Sequence, residues 1–415
     1  MSVVHTDFGP GDLATAADPY ARLREERRKG TVLRSENAWI VLGRNEAEAV
    51  LRSPTARSGF IGELYRSLLP DGAARSEMAA RLNFLDPPDH GRVRGLVAKA
   101  FTPRRVAELR PFLERTCHRL LDALEGRDRI DLMADFAHEV PALAISELLG
   151  VPAEDRARLA HLSEEVAGLL SPGGLDDDGM RNAIDSAEQM HVYLRALLEQ
   201  RRQQPGNDLV SALIAAREGD IVLSEAEMLS LCATLYSAGH RTTRDLFTNG
   251  VTALLPNAQL RNDFIHGVVP AAHVVEEFLR FETPTHYAAR MLTEPLDVGG
   301  TTIPAGEPIM LALAAANRDP DVYPNADRFD PHRWSGDLPP PLSFVFGLHF
   351  CLGASLARLE LEVMLASVFD RFPEIEMLES SEQLRWRHTG LFRRLEGLDV
   401  RPQPTRRNHK GNEQK

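Results

Sequence analysis

The chain has 415 residues, of which 43% are hydrophobic and 26% charged, values that exclude general disorder and are typical of a folded globular protein. Its formal net charge of −12 argues against the basic surface that a nucleic-acid-binding protein presents to phosphates. The three cysteines are odd in number and widely spaced, which excludes a disulfide framework and favours a reducing compartment.

The N-terminal segment indicates where the protein resides. It has no cationic stretch followed by an apolar one, and no run in the chain approaches the ~20 apolar residues that span a bilayer. We therefore expect a cytoplasmic protein without a membrane anchor. We also expect one domain over residues 1–401, with a small β-rich lobe near the N-terminus packed on a large helical lobe, and a disordered tail over 402–415.

The first elements form a small sheet region. Asp18 and Pro19 are start signals for a helix that ends at Gly30, and two strand candidates, TVLRSE and AWIVLGR, follow. From about residue 89 to 203, amphipathic helices dominate, and the aspartate-rich segment 173–179 is predicted to be a surface loop. The predicted fold class is mainly α with small β-sheets (α+β).

A long helix follows near the middle of the chain. Ser224 and Glu227 form a capping-box pattern, and no helix breaker occurs before Pro256. At ~1.5 Å per residue this helix is roughly 45 Å long and crosses the molecule. Its centre, Ala238-Gly-His-Arg-Thr-Thr243, is polar, which costs stability unless those groups are solvated, paired or used.

The most informative cysteine is Cys351. It lies between Gly347 and Gly353, at the start of a last predicted helix over residues 352–372. A thiol at a helix N-terminus faces free amide donors and the positive end of the helix dipole, so we expect a lowered thiol pKa and an anionic sulfur ligand. Cys117 and Cys232 have no such loop and are predicted to be packing residues.

This loop resembles the cysteine motif F-x-x-G-x-H/R-x-C-x-G of the cytochrome P450 superfamily. The motif is matched by Phe344, Gly347, His349, Cys351 and Gly353. The resemblance implies the cytochrome P450 fold, with haem b held by the Cys351 thiolate and the long central helix crossing the opposite haem face. It also implies a monooxygenase that uses molecular oxygen.

The resemblance assigns further residues to the scaffold and to the haem. Glu277 and Arg280 resemble the family's E-x-x-R pair, completed by a second arginine for which Arg328 is preferred over Arg333. The haem propionates are assigned four basic residues, and other haem contacts are assigned to small or aromatic positions. These assignments are His90, Arg94, Arg290 and His349 for the propionates, and Ala238, Gly239, Phe344, Gly347 and Gly353 for the remaining contacts.

The central helix departs from the family's A-G-x-D/E-T-T pattern. Thr242 and Thr243 keep the hydroxyls, but Arg241 stands where the proton-relaying acid is expected, and a guanidinium cannot release a proton at neutral pH. Three interpretations stay open. Arg241 forms a structural ion pair, or it binds a substrate carboxylate as in the family's peroxygenase branch, or the chemistry itself is altered.

The resemblance also predicts the partners. Electrons are expected from a ferredoxin or flavodoxin with its NAD(P)H reductase. The predicted docking cluster for this partner consists of Arg92, Lys99, Arg104 and Arg105. The substrate is expected to be a small organic molecule in a natural-product tailoring step, and the protein a monomer. Candidate pocket residues are His240, Tyr287, Ala288 and Phe392. The alternative of another class is a non-catalytic haem-binding or sensor protein.

Overall fold

The structure, a computed structural model, describes residues 3–171 and 174–402. Except for Pro402, the predicted tail lies outside the described residues, as do two residues of the turn near residue 172. The helices are α1 (Pro19–Lys29), α2 (Arg44–Arg52), α3 (Gly59–Leu68), α4 (Ala73–Ala79), α5 (Asp89–Ala100), α6 (Pro103–Ala107), α7 (Arg110–Asp122), α8 (Glu139–Leu149), α9 (Arg156–Ala167), α10 (Asp177–Gln203), α11 (Leu209–Ala215), α12 (Glu225–Leu254), α13 (Ala258–Ile265), α14 (Ala271–Phe281), α15 (Leu313–Ala316) and α16 (Ala354–Arg371).

Short strands form the small sheets. They are β1 (Val32–Arg34), β2 (Trp39–Val41), β3 (Ala56–Arg57), β4 (Ile130–Asp131), β5 (Tyr287–Leu292), β6 (Leu296–Val298), β7 (Thr301–Ile303), β8 (Pro308–Ala312), β9 (Glu376–Met377), β10 (Trp386–His388), β11 (Arg393–Leu395) and β12 (Asp399–Arg401). The largest sheet has the order β1-β2-β8-β5-β3, with β2 and β8 parallel and the other pairs antiparallel. The predicted fold class, mainly helical with small sheets, is confirmed.

The predicted end signals of two helices are confirmed. The Asp18 side chain accepts hydrogen bonds from the first amides of α1, and Gly30 follows its last residue. At the start of α12, the Ser224 side chain accepts from the Glu227 amide while the Glu227 side chain accepts from the Ser224 amide. Both caps satisfy amides that have no partner inside the helix.

One predicted loop is wrong over its last three residues. The aspartate-rich segment 173–179 was expected to be a surface loop, but α10 begins at Asp177. The Asp176 side chain accepts a hydrogen bond from the Gly179 amide, and the next aspartates occupy the first turn. Acidic side chains are favoured at a helix N-terminus, so the run of aspartates starts a helix here.

The centre of the molecule is occupied by α12. It packs against α4, α8, α9, α10, α14 and α16, and most of its residues from Thr243 to Leu254 are buried. The large helical core contains residues from α3 to α16, while two smaller apolar clusters lie on the two sides of the β1-β2-β8-β5-β3 sheet. Across the described residues, no helix is long and apolar enough to span a membrane.

Candidate active site

The cysteine loop approaches α2 so closely that one position requires glycine. Gly347 has φ +69°, and a Cβ atom there would lie 2.5 Å from the carbonyl oxygen of Leu51. The Cys351 amide donates to the carbonyl oxygen of Phe344 at 3.0 Å, which folds the loop back on itself. These contacts fix the backbone of the loop on the N-terminal side of the cysteine.

The expected lowering of the Cys351 thiol pKa is not produced by the protein's own groups. Burial raises the thiol pKa above its ordinary value, and the Gly353 amide, Arg94 and Arg358 offset only part of that effect. The helix α16 begins at Ala354 with Gly353 as its cap, so the cysteine precedes the helix instead of starting it. A metal ligand must be a thiolate, and coordination itself would have to favour the charged form.

A buried ion pair lies behind the cysteine loop. Arg280 donates through Nη2 to Glu277 Oε1 at 2.7 Å and through Nε to Glu277 Oε2 at 2.9 Å, and both side chains are fully buried. Arg280 Nη1 also donates to the carbonyl oxygen of Asn317 at 3.2 Å. The Asn317 side chain in turn accepts from the Leu342 amide at 2.7 Å and donates to Ser343 Oγ at 2.8 Å. The pair is thus linked to the start of the loop by hydrogen bonds.

The second arginine at Glu277 is Arg333, and the preference for Arg328 is wrong. Arg333 donates through Nε to Glu277 Oε1 at 3.2 Å, whereas the exposed Arg328 contributes only its carbonyl oxygen, which accepts from Arg280 at 2.9 Å. Asp330 begins a short helical turn, which carries Arg333 back toward α14 while the side chain of Arg328 stays in solvent. The Trp334 indole completes the shell by donating to Glu277 Oε2 at 3.1 Å.

Four basic side chains converge beside the loop, and we call them the basic cluster: His90, Arg94, Arg290 and His349. The two imidazole rings lie 4.4 Å apart, and α5 contributes His90 and Arg94 one turn apart. Burial lowers the pKa of His90 to about 4, with Arg94 adding to the effect, and burial lowers that of Arg290 to about 10. The cluster brings together basic groups from α5, β5 and the cysteine loop.

The basic cluster fits a haem with two propionates. Neither ring nitrogen of the fully buried His90 has a hydrogen-bond partner among the described residues, and the same holds for His349 Nδ1. Within the described part of the chain, Arg290 and Arg94 donate only to carbonyl oxygens, of Ala289 and Phe350 respectively, each at 2.7 Å. Buried polar groups in folded proteins are normally paired, so donors left without carboxylates match a ligand that brings its own.

Strand alternation decides which pocket candidates face this side. Ala288 and Arg290 lie two residues apart on one face of β5, and Ala288 packs on the cluster that contains loop residues. Tyr287 points to the opposite face, into the apolar cluster with Phe8 and Tyr20, because successive strand side chains alternate. Its prediction as a pocket residue is wrong. Phe392 pairs with Thr285, which places it next to the strand.

On α12, the candidates divide between two sides. Ala238 is exposed although it lies in the middle of the central helix, and Thr242 is half-buried one turn later, so both border open space inside the molecule. The Thr242 hydroxyl donates to the Ala238 carbonyl oxygen at 2.9 Å. Gly239 was predicted to contact haem, but a Cβ atom there would lie 3.4 Å from the Ile145 side chain of α8. A side chain at Gly239 would therefore face α8, at an ordinary van der Waals distance.

The polar centre of α12 is paired with a glutamate of α9. Glu164 Oε1 accepts from Arg244 Nη1 at 2.7 Å and lies 3.2 Å from His240 Nε2, while Glu164 Oε2 lies 3.4 Å from Arg241 Nε. Burial raises the pKa of Glu164, but the hydrogen bond with His240 and the charges of Arg244 and Arg241 outweigh burial and lower it far below its usual range. We call these four residues the Glu164 cluster.

The Glu164 cluster contains one residue that was predicted to line the pocket and one that was not predicted at all. His240 is fully buried, with Nδ1 2.8 Å from the Tyr236 carbonyl oxygen, so its prediction as a pocket residue is wrong. Both ring nitrogens are occupied within the protein. Glu164 was not identified from the sequence. It is one of two glutamates in α9, and nothing in the local sequence indicates that α12 packs against it.

Comparisons with known proteins agree with this geometry. The family model "Cytochrome P450" matches residues 271–394. Cytochrome P450 107B1 of Saccharopolyspora erythraea is 38% identical over 396 residues, covering 92% of this chain and 94% of that protein. Mycinamicin IV hydroxylase/epoxidase of Micromonospora griseorubida is 36% identical over 390 residues, covering 91% and 94%. The crystal structure of CalO2 superposes with a TM-score of 0.89 at 28% identity, covering 96% of this chain and 99% of that one.

The chain belongs to the cytochrome P450 family. It is accordingly a haem-dependent monooxygenase, an oxidoreductase that uses haem b and molecular oxygen.

Proposed function

We propose that the Cys351 thiolate would bind the haem iron and that the protein oxidises a small natural product bound beside Ala238. The observation that carries this proposal is the basic cluster, whose unpartnered donors lie next to Cys351 and match two propionates. When bound, the haem would supply oxygen activation, which a thiolate ligand promotes. The chain supplies the residues of the site. Arg94 and Arg290 would supply positive charge to the propionates. Ala288 and Phe392 border the pocket, and Thr242 presents a hydroxyl to it.

For the substrate, we propose a compound of the kind processed in antibiotic tailoring, oxidised by hydroxylation or epoxidation. The support is the relative whose name describes hydroxylation and epoxidation of mycinamicin IV. The pocket side of α12 offers Ala238 and a single hydroxyl at Thr242, which suits a largely apolar ligand fixed by few polar contacts.

For Arg241, we propose the structural ion pair. Its guanidinium lies 3.4 Å from Glu164, and this pairing supplies the negative charge that a substrate carboxylate would otherwise provide. In the carboxylate-binding alternative, Arg241 would have to leave Glu164. Glu164 would then keep Arg244 and His240 as its partners. A panel of carboxylic acids that shift the haem spectrum of the wild type but not of Arg241→Gln would support that alternative.

The haem ligand is tested by the difference spectrum of the reduced protein with carbon monoxide. We expect a red-shifted thiolate-type carbonyl band in the wild type and in the control Cys232→Ala, which removes a fully buried thiol of α12 instead. Cys351→Ala should lose that band. A band that survives in Cys351→Ala refutes the assignment. Oxygen uptake coupled to product formation then separates an oxygenase from a non-catalytic haem protein.

For electron supply we propose a ferredoxin, or a flavodoxin, with its NAD(P)H reductase. The predicted docking cluster is weaker than the sequence suggests, because Lys99 pairs with Glu218 at 3.0 Å and Arg104 with Glu108 at 2.9 Å, and Arg92 pairs with Glu227. We expect Arg104→Glu to slow electron transfer a few-fold at low salt. An exposed arginine at the start of α10, changed in Arg181→Glu, is the control. Equal rates in both variants would place docking elsewhere.

A further inference from the structure

A cavity of about 200 Å³ lies between α1 and α15 and has no part in the proposed function. Its apolar wall consists of side chains from both helices, Tyr20 and Leu23 of α1 and Ala314 and Ala315 of α15. They belong to the apolar cluster that also contains Tyr287, whereas Ala288 packs with the cluster on the opposite side of the β1-β2-β8-β5-β3 sheet. The sheet therefore separates this cavity from the pocket beside Ala288, and we call it the α1 cavity.

The charged part of the α1 cavity is basic. Its lining contains one carboxylate, Asp327, and four arginines, Arg24, Arg27 and Arg28 of α1 and Arg318 after α15. The second and third of these follow the first by three and four residues, so the three share one helix face. Asp327 pairs with Arg24 at 2.9 Å, and Arg27 pairs with two aspartates outside the lining, Asp319 and Asp321. Two cations of the lining, Arg28 and Arg318, remain to be explained.

The most deeply buried of these cations is Arg318, which is 9% exposed. Its guanidinium carbon lies 3.4 Å from the centre of the Tyr20 ring and 3.7 Å from that of the Phe281 ring. Nε and Nη2 donate to the Phe281 carbonyl oxygen at 3.1 and 2.5 Å, and Nη2 also donates to Glu282 Oε1 at 3.2 Å. Nη1 donates to no described residue, since Asp327 Oδ1 lies 3.9 Å away. This nitrogen is therefore free for a ligand in the cavity.

The neighbours of Arg318 do not fully compensate its charge. Burial lowers its pKa, and the positive charges of Arg280 and Arg393 act in the same direction, which outweighs the opposing effects of Tyr20 and Glu282. Glu282 is shared, because it also pairs with Arg393. A buried cation is costly unless it is paired, so an additional anion beside Arg318 Nη1 would stabilise the folded protein.

Arg28 provides a second free guanidinium at the same cavity. Its side chain is exposed and makes no hydrogen bond or ion pair within residues 3–171 and 174–402. Arginine presents its N–H donors in a planar fork that matches a carboxylate. The Tyr20 hydroxyl already donates to Glu282 Oε2 at 3.1 Å, so the wall that it forms with Leu23 suits the hydrocarbon part of a ligand.

We infer that the α1 cavity binds a small organic anion, with its carboxylate on Arg318 and Arg28 and its hydrocarbon part against the apolar wall. The volume of about 200 Å³ is below the roughly 300–1,000 Å³ of cavities that bind drug-sized ligands, so the ligand is limited to about the size of benzoate. The cavity is a ligand site separate from the haem and the substrate. This inference goes beyond the proposed oxygenase function and does not depend on it.

The first test measures binding to the haem-loaded protein by calorimetry. An iron-ligating imidazole inhibitor is kept in excess, so that the haem pocket is closed to the added anion. We expect one benzoate per chain with a dissociation constant of about 1 mM or lower. Benzamide has the same shape without the charge, and inorganic phosphate has the charge without the hydrocarbon part. Each should bind at least about tenfold more weakly. Undetectable benzoate binding, or equal binding of either control compound, would overturn the inference.

The second test compares two arginines of α1. Arg28→Gln removes the free guanidinium at the cavity and should weaken benzoate binding at least about tenfold, because a charge-assisted hydrogen bond is lost. Arg22→Gln is the matched control, since Arg22 lies on the same helix outside the cavity lining and pairs with Glu25 at 3.2 Å. It should bind benzoate as the wild type does. Equal affinities in the two variants would refute the site. Arg28 has no partner to lose, so Arg28→Gln should keep the wild-type unfolding midpoint.

A third variant tests the volume of the cavity. Ala315→Leu enlarges a side chain of the apolar wall and leaves every arginine in place, so benzoate binding should be lost. The unfolding midpoint and the carbonyl spectrum show whether this variant is folded, and Arg28→Gln decides alone if it is not. If folded Ala315→Leu binds benzoate as the wild type does, or if benzoate shifts the haem absorption band of the wild type, the anion binds elsewhere and the inference fails.

Discussion

The basic cluster and the Glu164 cluster contain similar side chains in opposite states. Each contains one buried and one half-buried arginine with at least one histidine. In the basic cluster the donors have no carboxylate partners among the described residues, whereas Glu164 satisfies three basic neighbours at once. The difference separates a site built for an external anion from one that is complete without a ligand. Buried charge is costly unless it is paired, so the missing partners at the first cluster indicate haem.

The largest effect is expected for Arg244 in the complete cluster. Arg244→Met leaves Glu164 and Asp245 without their closest cation, and breaking a buried ion pair costs about 3 kcal/mol or more. Chemical denaturation should show this loss of unfolding free energy. The exposed arginine change Arg181→Met should stay within about 0.5 kcal/mol of the wild type. A wild-type stability for Arg244→Met would mean that the Glu164 cluster does not hold α9 on α12.

An opposite result is expected for Arg290 in the basic cluster. Arg290→Met removes a buried charge with no carboxylate partner, so the haem-free protein should gain unfolding free energy. The same change should weaken haem binding about tenfold to a hundredfold, because charge-assisted hydrogen bonds to a propionate are lost. Haem transfer to a scavenger protein measures the affinity. If stability falls and haem affinity does not, the contrast between the clusters is wrong.

The smallest effect concerns the half-buried pair between Arg241 and Glu164. A double-mutant cycle with Arg241→Gln and Glu164→Gln should give a coupling energy of about 0.5–1 kcal/mol. The coupling should decrease at high salt, since both side chains retain solvent contact. A coupling near zero, together with loss of substrate binding in Arg241→Gln, would favour the carboxylate-binding alternative.

The sequence predicted the features that depend on local chemistry. The capping box of Ser224 and Glu227 fixed the start of α12, and the cysteine motif identified a loop in which Gly347 cannot be replaced without a clash. The four basic residues assigned to the propionates also converge in space. These features are readable because each is encoded within a few residues or within a motif of fixed spacing.

What the sequence by itself determined is the family, the cysteine loop and the long helix above it. Only the tertiary structure decided which arginine meets Glu277, which face of β5 carries Tyr287, and which acids accompany α12. Glu164 lies 76 residues before His240 in the chain. Such partners depend on how helices cross, and no local pattern of residues records that crossing.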